Sequence, residues 1–162
     1  MSLMTIARKP SMSELHDFYA LYAETLDDVQ LEAWADYFAD DCLYQIIARE
    51  NFDQGFGLCF MQADSKGMIV DRVQGITRTQ MFGPRSYRRF FSGIRVTGQD
   101  GGEILVRQNV LLVQTLMDQA SLILLCGVAH DRLVQVGDRL LFKQRIIVAD
   151  SELIENSLIY PL

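Results

Sequence analysis

The feature that most constrains the fold is a series of four long β-rich runs in the second half of the chain. Turn residues bound each run, and the dipeptide Gly137-Asp138 is typical of a two-residue hairpin turn with glycine at a positive φ angle. The runs cover residues 87–97, 104–117, 122–136 and 140–149. Because turns this short join strands that are neighbours, the pattern predicts an antiparallel meander.

Helical patterns precede the meander. Ser11 and Glu14 have the spacing of a capping box, which predicts the start of a helix. Apolar residues spaced by three or four follow it in two stripes. The first stripe is Leu15, Phe18, Tyr19, Tyr22 and Leu26, and the second is Leu31, Trp34, Ala35 and Phe38. The sequence also predicts strands at residues 42–48 and 55–63, and a further helix after the N-cap Asp64-Ser65.

Helices followed by long strands indicate an α+β fold, in which helices pack on one face of a curved antiparallel sheet. The 162 residues suit a single domain, and we expect residues 1–10 to form a flexible arm. The net charge of −6 disfavours binding to nucleic acids and anionic membranes, which attract basic surfaces. The longest apolar run, residues 122–129, is far shorter than the roughly 18 residues of a membrane span, so we expect a cytoplasmic protein.

The run at residues 104–117 carries apolar residues on both of its faces. Alternation along a strand places Ile104 and Val106 on one face and Leu105, Leu111 and Val113 on the other. A sheet with one buried face would carry polar residues on its second face. We therefore expect a partner chain to cover the outer face of the sheet.

His130, which precedes Asp131 on a predicted strand, is the residue best suited to proton transfer. Neighbours on a strand project to opposite faces, so these two side chains are not expected to share a pocket. His130 alone could act as a general base if it faced the helices, and a structural or interface histidine is the alternative. A two-histidine iron site would require His16, on the first helix, to converge with His130.

Two clusters of side chains are further candidate sites. An aromatic cluster could line a cavity for a flat apolar ligand, although a helix–sheet core is the favoured interpretation. Its members are Tyr19, Tyr22, Trp34 and Tyr44. A basic cluster could form salt bridges with a protein partner, and a solvated edge strand is the alternative. Its members are Arg85, Arg88, Arg89 and Arg95.

Three segments of the chain form an ordered set of motifs. They are residues 38–46 (FADDCLYQI), residues 68–73 (MIVDRV) and the hairpin at residues 131–150, which contains DRL, VGD and FKQRIIVAD. Together they resemble the small (β) subunit of bacterial aromatic-ring-hydroxylating dioxygenases. The blocks at residues 49–53 (RENFD) and 65–68 (SKGM) are most similar to the branch that serves salicylate- or anthranilate-type substrates.

The resemblance implies a cone-shaped fold of the nuclear-transport-factor-2-like or cystatin-like kind. It also implies a homotrimer that supports catalytic large (α) subunits in an α₃β₃ assembly, with Asp131 and Arg145 as candidates for subunit contacts. The large subunit would hold a Rieske iron–sulfur cluster and a mononuclear iron. This chain lacks the Cys-x-His and Cys-x-x-His pattern of a Rieske site, so we expect no catalytic, cofactor or metal site in it.

The leading hypothesis is therefore a non-catalytic structural subunit of a multicomponent oxygenase. One alternative is a stand-alone isomerase or dehydratase of the same fold, with His130 or Asp71 as the base in the pocket of the cone. Another is a ligand-binding module without chemistry, which would require an open pocket lined by Tyr19, Tyr22 and Trp34.

Overall fold

The fold consists of one six-stranded sheet and four helices in the residues that the computed structural model describes, which are 8–78, 83–154 and 158–162. The helices are α1 (Met12–Asp27), α2 (Leu31–Ala35), α3 (Arg49–Gln54) and α4 (Lys66–Arg78). The strands are β1 (Phe38–Ala48), β2 (Cys59–Ala63), β3 (Arg85–Asp100), β4 (Glu103–Leu116), β5 (Leu122–Val136) and β6 (Arg139–Ala149). Of the predicted arm, residues 1–7 lie outside the described residues, and Arg8 forms an ion pair with Glu14.

The strand order of the sheet is β2-β1-β6-β5-β4-β3. Strands β3 to β6 form the predicted antiparallel meander, and Gly137 in the last hairpin turn has a φ of 60°. Strand β1 pairs with β6 in parallel, with Tyr44 opposite Arg145. The strand pattern did not reveal this parallel pairing, because it joins segments far apart in sequence. It places β1 between the edge strand β2 and β6.

Most predicted elements are confirmed, and a few boundaries differ. Helix α1 begins at the predicted capping box, where Ser11 Oγ accepts a hydrogen bond from Glu14 N at 3.2 Å. The second helix is shorter than predicted, because Phe38 already belongs to β1. The strand predicted at residues 55–63 begins only at Cys59. Helix α3 was not predicted, because it buries none of its residues and so leaves no apolar periodicity.

The core lies between the helices α1, α2 and α4 and the inner face of the sheet, a space called the interior below. Helix α1 buries Tyr19, Tyr22 and two leucines of the predicted stripe against the sheet. Trp34 of α2 packs edge-to-face on Phe38 and Tyr44 of β1, with ring centroids 5.4 and 5.5 Å apart. Removal of this aromatic surface from water is the main term that holds the helices on the sheet.

The outer face of the sheet carries the second set of apolar residues that the sequence predicted. Leu111 and Val113 of β4 are half-buried there, whereas Val110 and Leu112 are buried on the inner face. Ile123 is the register partner of Val113, and it is 64% exposed. Together with Met117 of the adjoining turn, these outer residues form the outer apolar patch: Leu111, Val113, Met117 and Ile123.

Candidate functional site

An ion pair lies in the interior, on the inner face of the sheet. Asp131 of β5 and Arg145 of β6 are opposite each other in register, and Arg145 Nη1 is 2.7 Å from Asp131 Oδ2. Both side chains are fully buried. The same carboxylate oxygen accepts hydrogen bonds from Tyr19 OH at 2.8 Å and from Gln108 Nε2 at 3.0 Å. Side chains from α1, β4 and β6 thus converge on a single carboxylate of β5.

The electrostatics of this group are those of a structural ion pair. Burial raises the pKa of Asp131, while Arg145 and the hydrogen bonds from Tyr19 and Gln108 oppose this shift. Burial and the charge of Asp131 raise the pKa of Tyr19 well above its usual value, so its hydroxyl stays protonated and donates. The guanidinium of Arg145 also lies over the ring of Tyr22, 4.8 Å from the centroid. These contacts offset the cost of burying two charges, and they hold the carboxylate away from solvent.

A second polar group binds the main chain of Leu162 beside Arg145. The main-chain oxygen of Leu162 accepts from Tyr22 OH at 2.6 Å, from Tyr44 OH at 3.1 Å and from Arg145 Nε at 3.3 Å. Leu162 N in turn donates to Tyr44 OH at 2.8 Å, and Trp34 Nε1 donates to Tyr22 OH at 3.0 Å. Leu162 is fully buried, so the 158–162 segment enters the interior.

Arg89 of β3 connects the same segment to α1. Its Nη1 is 2.6 Å from Asp27 Oδ1, and its Nη2 donates to Pro161 O at 2.6 Å. Burial lowers the pKa of Arg89, and the hydrogen bond and charge of Asp27 oppose that shift. The structure therefore places Arg89, Asp131 and Arg145, three of the predicted interface residues, inside the chain, where they bind internal partners rather than a surface that a subunit could reach.

The four aromatic pocket candidates fill the interior instead of lining an open cavity. Tyr19, Tyr22, Trp34 and Tyr44 are each no more than 1% exposed, and the polar atom of each has a partner within the chain. Tyr19 also borders a surface groove of about 390 Å³ between α1 and β3. The four side chains belong to the hydrophobic core cluster, which is the helix–sheet core that the sequence favoured.

His130 and Asp71 both lie outside the interior. His130 faces the side of β5 opposite to Asp131, as strand alternation predicted, and its ring stacks on Phe52 of α3. The ring centroids are 5.8 Å apart and the interplanar angle is 5°. Asp71 is exposed on α4. Neither residue is positioned to act as a base in the interior, which removes the geometric basis of the isomerase or dehydratase alternative.

The other predicted interface arginines lie on β3 at or near the surface. Arg88 is exposed, with Nη1 3.8 Å from Asp27 Oδ2, and Arg95 is exposed further along the strand. Arg85, at the start of the strand, is half-buried. The ring of Phe90 is 52% exposed beside Arg88, and both residues line the groove between α1 and β3. Arginine beside an exposed aromatic ring is typical of a protein-contact surface.

The described residues do not fit a Rieske cluster. Within residues 8–78, 83–154 and 158–162, no group of three or more His, Cys, Asp or Glu side chains could hold a metal ion. A Rieske cluster requires two cysteines and two histidines. His16 is exposed on α1, on the helical side of the sheet, whereas His130 lies on the outer face, so the two histidines do not converge. Of the helices in these ranges, none is long and apolar enough to span a membrane.

Residues 22–156 match the sequence model of the family described as "Ring hydroxylating beta subunit". The chain belongs to this family. The match confirms the resemblance carried by the motifs at residues 38–46, 68–73 and 131–150. It makes this β subunit a component of a dioxygenase that hydroxylates aromatic rings, and therefore part of an oxidoreductase complex.

Relatives and solved structures agree with this assignment. The anthranilate 1,2-dioxygenase small subunit of Burkholderia cepacia is 28% identical over 149 residues, which cover 92% of each chain. The β subunit of a provisionally assigned aromatic-ring-hydroxylating dioxygenase from Novosphingobium aromaticivorans DSM 12444 is 34% identical, with a TM-score of 0.82 and coverage of 91% of this chain and 94% of that chain. A provisionally assigned scytalone dehydratase from the same organism shares the fold, with a TM-score of 0.66 at 20% identity and coverage of 90% and 89%. The predicted α+β fold, with a curved sheet on N-terminal helices as in nuclear-transport-factor-2-like proteins, is confirmed.

The sequence pattern did not reveal Gln108, Asp27 and Leu162 as members of the polar groups. For Gln108 a signal existed, because it is in phase with the buried Val106 and Val110 on β4, so alternation alone places its amide in the interior. Asp27 and Leu162 had no such signal. Their partners come from distant segments that only the folded chain brings together.

Proposed function

We propose that this β subunit is a non-catalytic structural component that supports the catalytic large (α) subunit of a Rieske non-haem iron dioxygenase in the breakdown of aromatic compounds. The observation that carries the proposal is the contrast between the two faces of the sheet. On the inner face, Asp131 and Arg145 are fully buried and bonded within the chain. On the outer face, Met117 and Ile123 leave apolar surface exposed. An exposed apolar patch beside a filled interior favours assembly over catalysis.

The proposed assembly is a homotrimer that carries three large subunits, α₃β₃. We assign the outer apolar patch to contacts between copies of the β subunit, because permanent homo-oligomers bury the more apolar interfaces. We assign the exposed part of β3, with Arg88, Phe90 and Arg95, to the large subunit, because arginine and aromatic residues are enriched at interface hot spots. Arg89, Asp131 and Arg145 would act from inside, by fixing the strands that carry these surfaces.

The large subunit would hold the Rieske cluster and the mononuclear iron, and would build the pocket for the aromatic substrate. Similarity to the anthranilate 1,2-dioxygenase small subunit supports an aromatic acid of the anthranilate or salicylate type as that substrate. The lack of a group of three or more metal-ligating side chains among the described residues supports this division of roles. We place the complex in the cytoplasm.

Native mass spectrometry tests the assembly. The 18.5-kDa β subunit alone is expected at the mass of a trimer, and after co-expression with a candidate large subunit it is expected in a hexamer. A monodisperse monomer that does not bind the large subunit would contradict the proposal.

A second measurement tests the non-catalytic role. The variants His130→Ala and Asp71→Asn remove the two candidate bases, which lie outside the interior. We expect turnover by the assembled dioxygenase to stay within about twofold of the unaltered enzyme, because a lost general base would cost about 10²-fold or more. Loss of turnover by a variant that still assembles would show that the β subunit takes part in catalysis.

A further inference from the structure

Two arginines face each other on the outer face of the sheet without a counter-charge. Arg95 of β3, which is exposed, lies opposite Arg107 of β4, which is half-buried. Because Val106 and Gln108 are buried on the inner face, alternation places Arg107 on the outer face. Neither guanidinium forms an ion pair or a hydrogen bond with a residue that the structure describes. Like charges at directly opposed positions destabilise a sheet, so the two arginines weaken this part of the fold.

The acidic residues of the same strands are bonded elsewhere. Asp100 and Glu103 both bind Arg132, and Asp131 is buried with Arg145 on the inner face. Each of the other lysine and arginine side chains of β3 to β6 also has a partner within the chain. They are Arg85, Arg88, Arg89, Arg132, Arg139, Lys143 and Arg145. In a chain with a net charge of −6, two adjacent cations that no acid neutralises indicate a counter-charge from outside the chain.

Hydrogen-bonding groups extend this surface. Ser92 and Asn109 are register partners on the outer face, beside the two arginines, and both are exposed. The four residues are called the cationic patch: Ser92, Arg95, Arg107 and Asn109. Burial and then the charge of Arg107 lower the pKa of His130, its register partner on β5, so the positive potential of the patch reaches the neighbouring strand. Facing positions of a sheet hold their Cβ atoms about 5 Å apart, a separation at which two guanidinium groups can bind one carboxylate together.

We propose that the cationic patch binds carboxylate side chains of an acidic segment of the large subunit. This inference rests on the assembly proposed above and specifies the chemistry of one contact in it. Interfaces between like subunits are the more apolar and are depleted in charge, so a cationic patch suits contact with an unlike chain. The patch also continues, along β3, the surface of Arg88 and Phe90 that is assigned to the large subunit. A carboxylate between the two guanidinium groups would remove their repulsion, so the complex relieves what the isolated chain cannot.

Two measurements on Arg107→Gln, with expected effects of opposite sign, test this inference. In the isolated β subunit we expect the urea midpoint to be unchanged or higher, because the repulsion between Arg107 and Arg95 is removed. In the complex with the co-expressed large subunit we expect the dissociation constant to rise about tenfold, because a charge that binds the partner is lost. Arg107→Glu, which repels an acidic segment, should raise it at least about a hundredfold. Sedimentation of the hexamer on dilution measures both values.

Salt and a matched control separate the contact from a general effect of charge. An increase from about 0.05 M to about 0.5 M NaCl should weaken the unaltered complex more than the Arg107→Gln complex, because salt screens the lost contact. Arg72→Gln makes the same change of charge on α4, which buries its apolar side away from the outer face. Arg72 is half-buried like Arg107 and has no ion pair among the described residues. We expect this variant to leave the dissociation constant within about twofold.

Four results would overturn the inference. A lower urea midpoint of Arg107→Gln would show that the arginine stabilises the isolated fold, and a complex that withstands Arg107→Glu would show that the patch does not bind the large subunit. A weaker β trimer with unchanged affinity for the large subunit would assign the patch to a second copy of this chain. If the unaltered β subunit formed no complex with the large subunit, the proposed assembly would fail together with this inference, whereas the first three results leave the assembly standing.

Discussion

Asp131 and Arg145 face each other across β5 and β6, and each meets its opposite charge in the fully buried interior at 2.7 Å. This pair anchors two otherwise separate parts of the chain. Asp131 accepts a hydrogen bond from the hydroxyl of Tyr19 on α1, and Arg145 donates one to the main-chain oxygen of Leu162. The register of β5 and β6 thus positions both α1 and the 158–162 segment.

The free energy of unfolding should reveal this coupling in a double-mutant cycle. Arg145→Met leaves the Asp131 carboxylate buried without a cation, so we expect a loss of about 3–5 kcal/mol. Asp131→Asn is expected to be destabilising as well, while the double variant should lose less than the sum of the two by about 2–3 kcal/mol. Urea denaturation of the four proteins measures these values. Additivity within about 0.5 kcal/mol would show that the pair is not coupled.

Gly127 allows β5 and β6 to approach each other closely. A Cβ atom at this position would lie 2.1 Å from the carbonyl oxygen of Val148, which belongs to the backbone and cannot rotate away. Gly127→Ala should therefore destabilise the fold by about 3 kcal/mol or more, as measured by thermal and urea unfolding. Gly57→Ala is the control, because no atom lies within 4 Å of its added Cβ, and it should change stability by less than about 0.5 kcal/mol. Equal stability of the two variants would contradict this account.

His130 should make stability depend on pH. Partial burial and then the positive charges of Arg107 and Arg49 lower its pKa in the folded chain. In the unfolded chain the pKa of His130 is about 6.5, so at a pH between the two pKa values the unfolded chain binds more protons than the folded chain. The free energy of unfolding therefore falls as the pH drops below about 6.5. We expect His130→Gln to flatten this part of the stability curve and His16→Gln to leave it in place. Urea unfolding on both sides of that pH measures the slope, and a slope that survives in His130→Gln would assign it to other groups.

Ile123 should matter for self-association and not for the fold. Its side chain is 64% exposed in the outer apolar patch, so Ile123→Asp removes little packing within the chain. In a trimer interface, however, the new carboxylate would be buried unpaired, and we expect the dissociation constant of the trimer to rise at least about a hundredfold. Sedimentation velocity measures this change. Leu21→Asp, at a 57% exposed position on α1, is the matched control, and a trimer that withstands Ile123→Asp would place the interface elsewhere.

Local patterns predicted the elements well where one side of each element is buried. The capping box at Ser11 and the stripe through Tyr19 and Tyr22 identified α1, and alternation identified the meander. The pattern was uninformative for α3, which buries nothing, and for the border at Phe38, where an apolar residue fits both a helical stripe and a strand. The family was recognisable from ordered motifs whose individual side chains mostly serve the fold.

The sequence by itself determined that His130 and Asp131 face opposite sides of the sheet, because side chains alternate along a regular stretch of strand. Alternation alone therefore separates the side chain of His130 from that of Asp131. Only the tertiary structure decided what those side chains meet. The ion pair with Arg145 depends on the register of β5 and β6, the stacking of His130 on the placement of α3, and the burial of Leu162 on donors from α1, β1 and β6. Such contacts join segments that are far apart in sequence, and a local sequence pattern does not reveal which distant residues will meet.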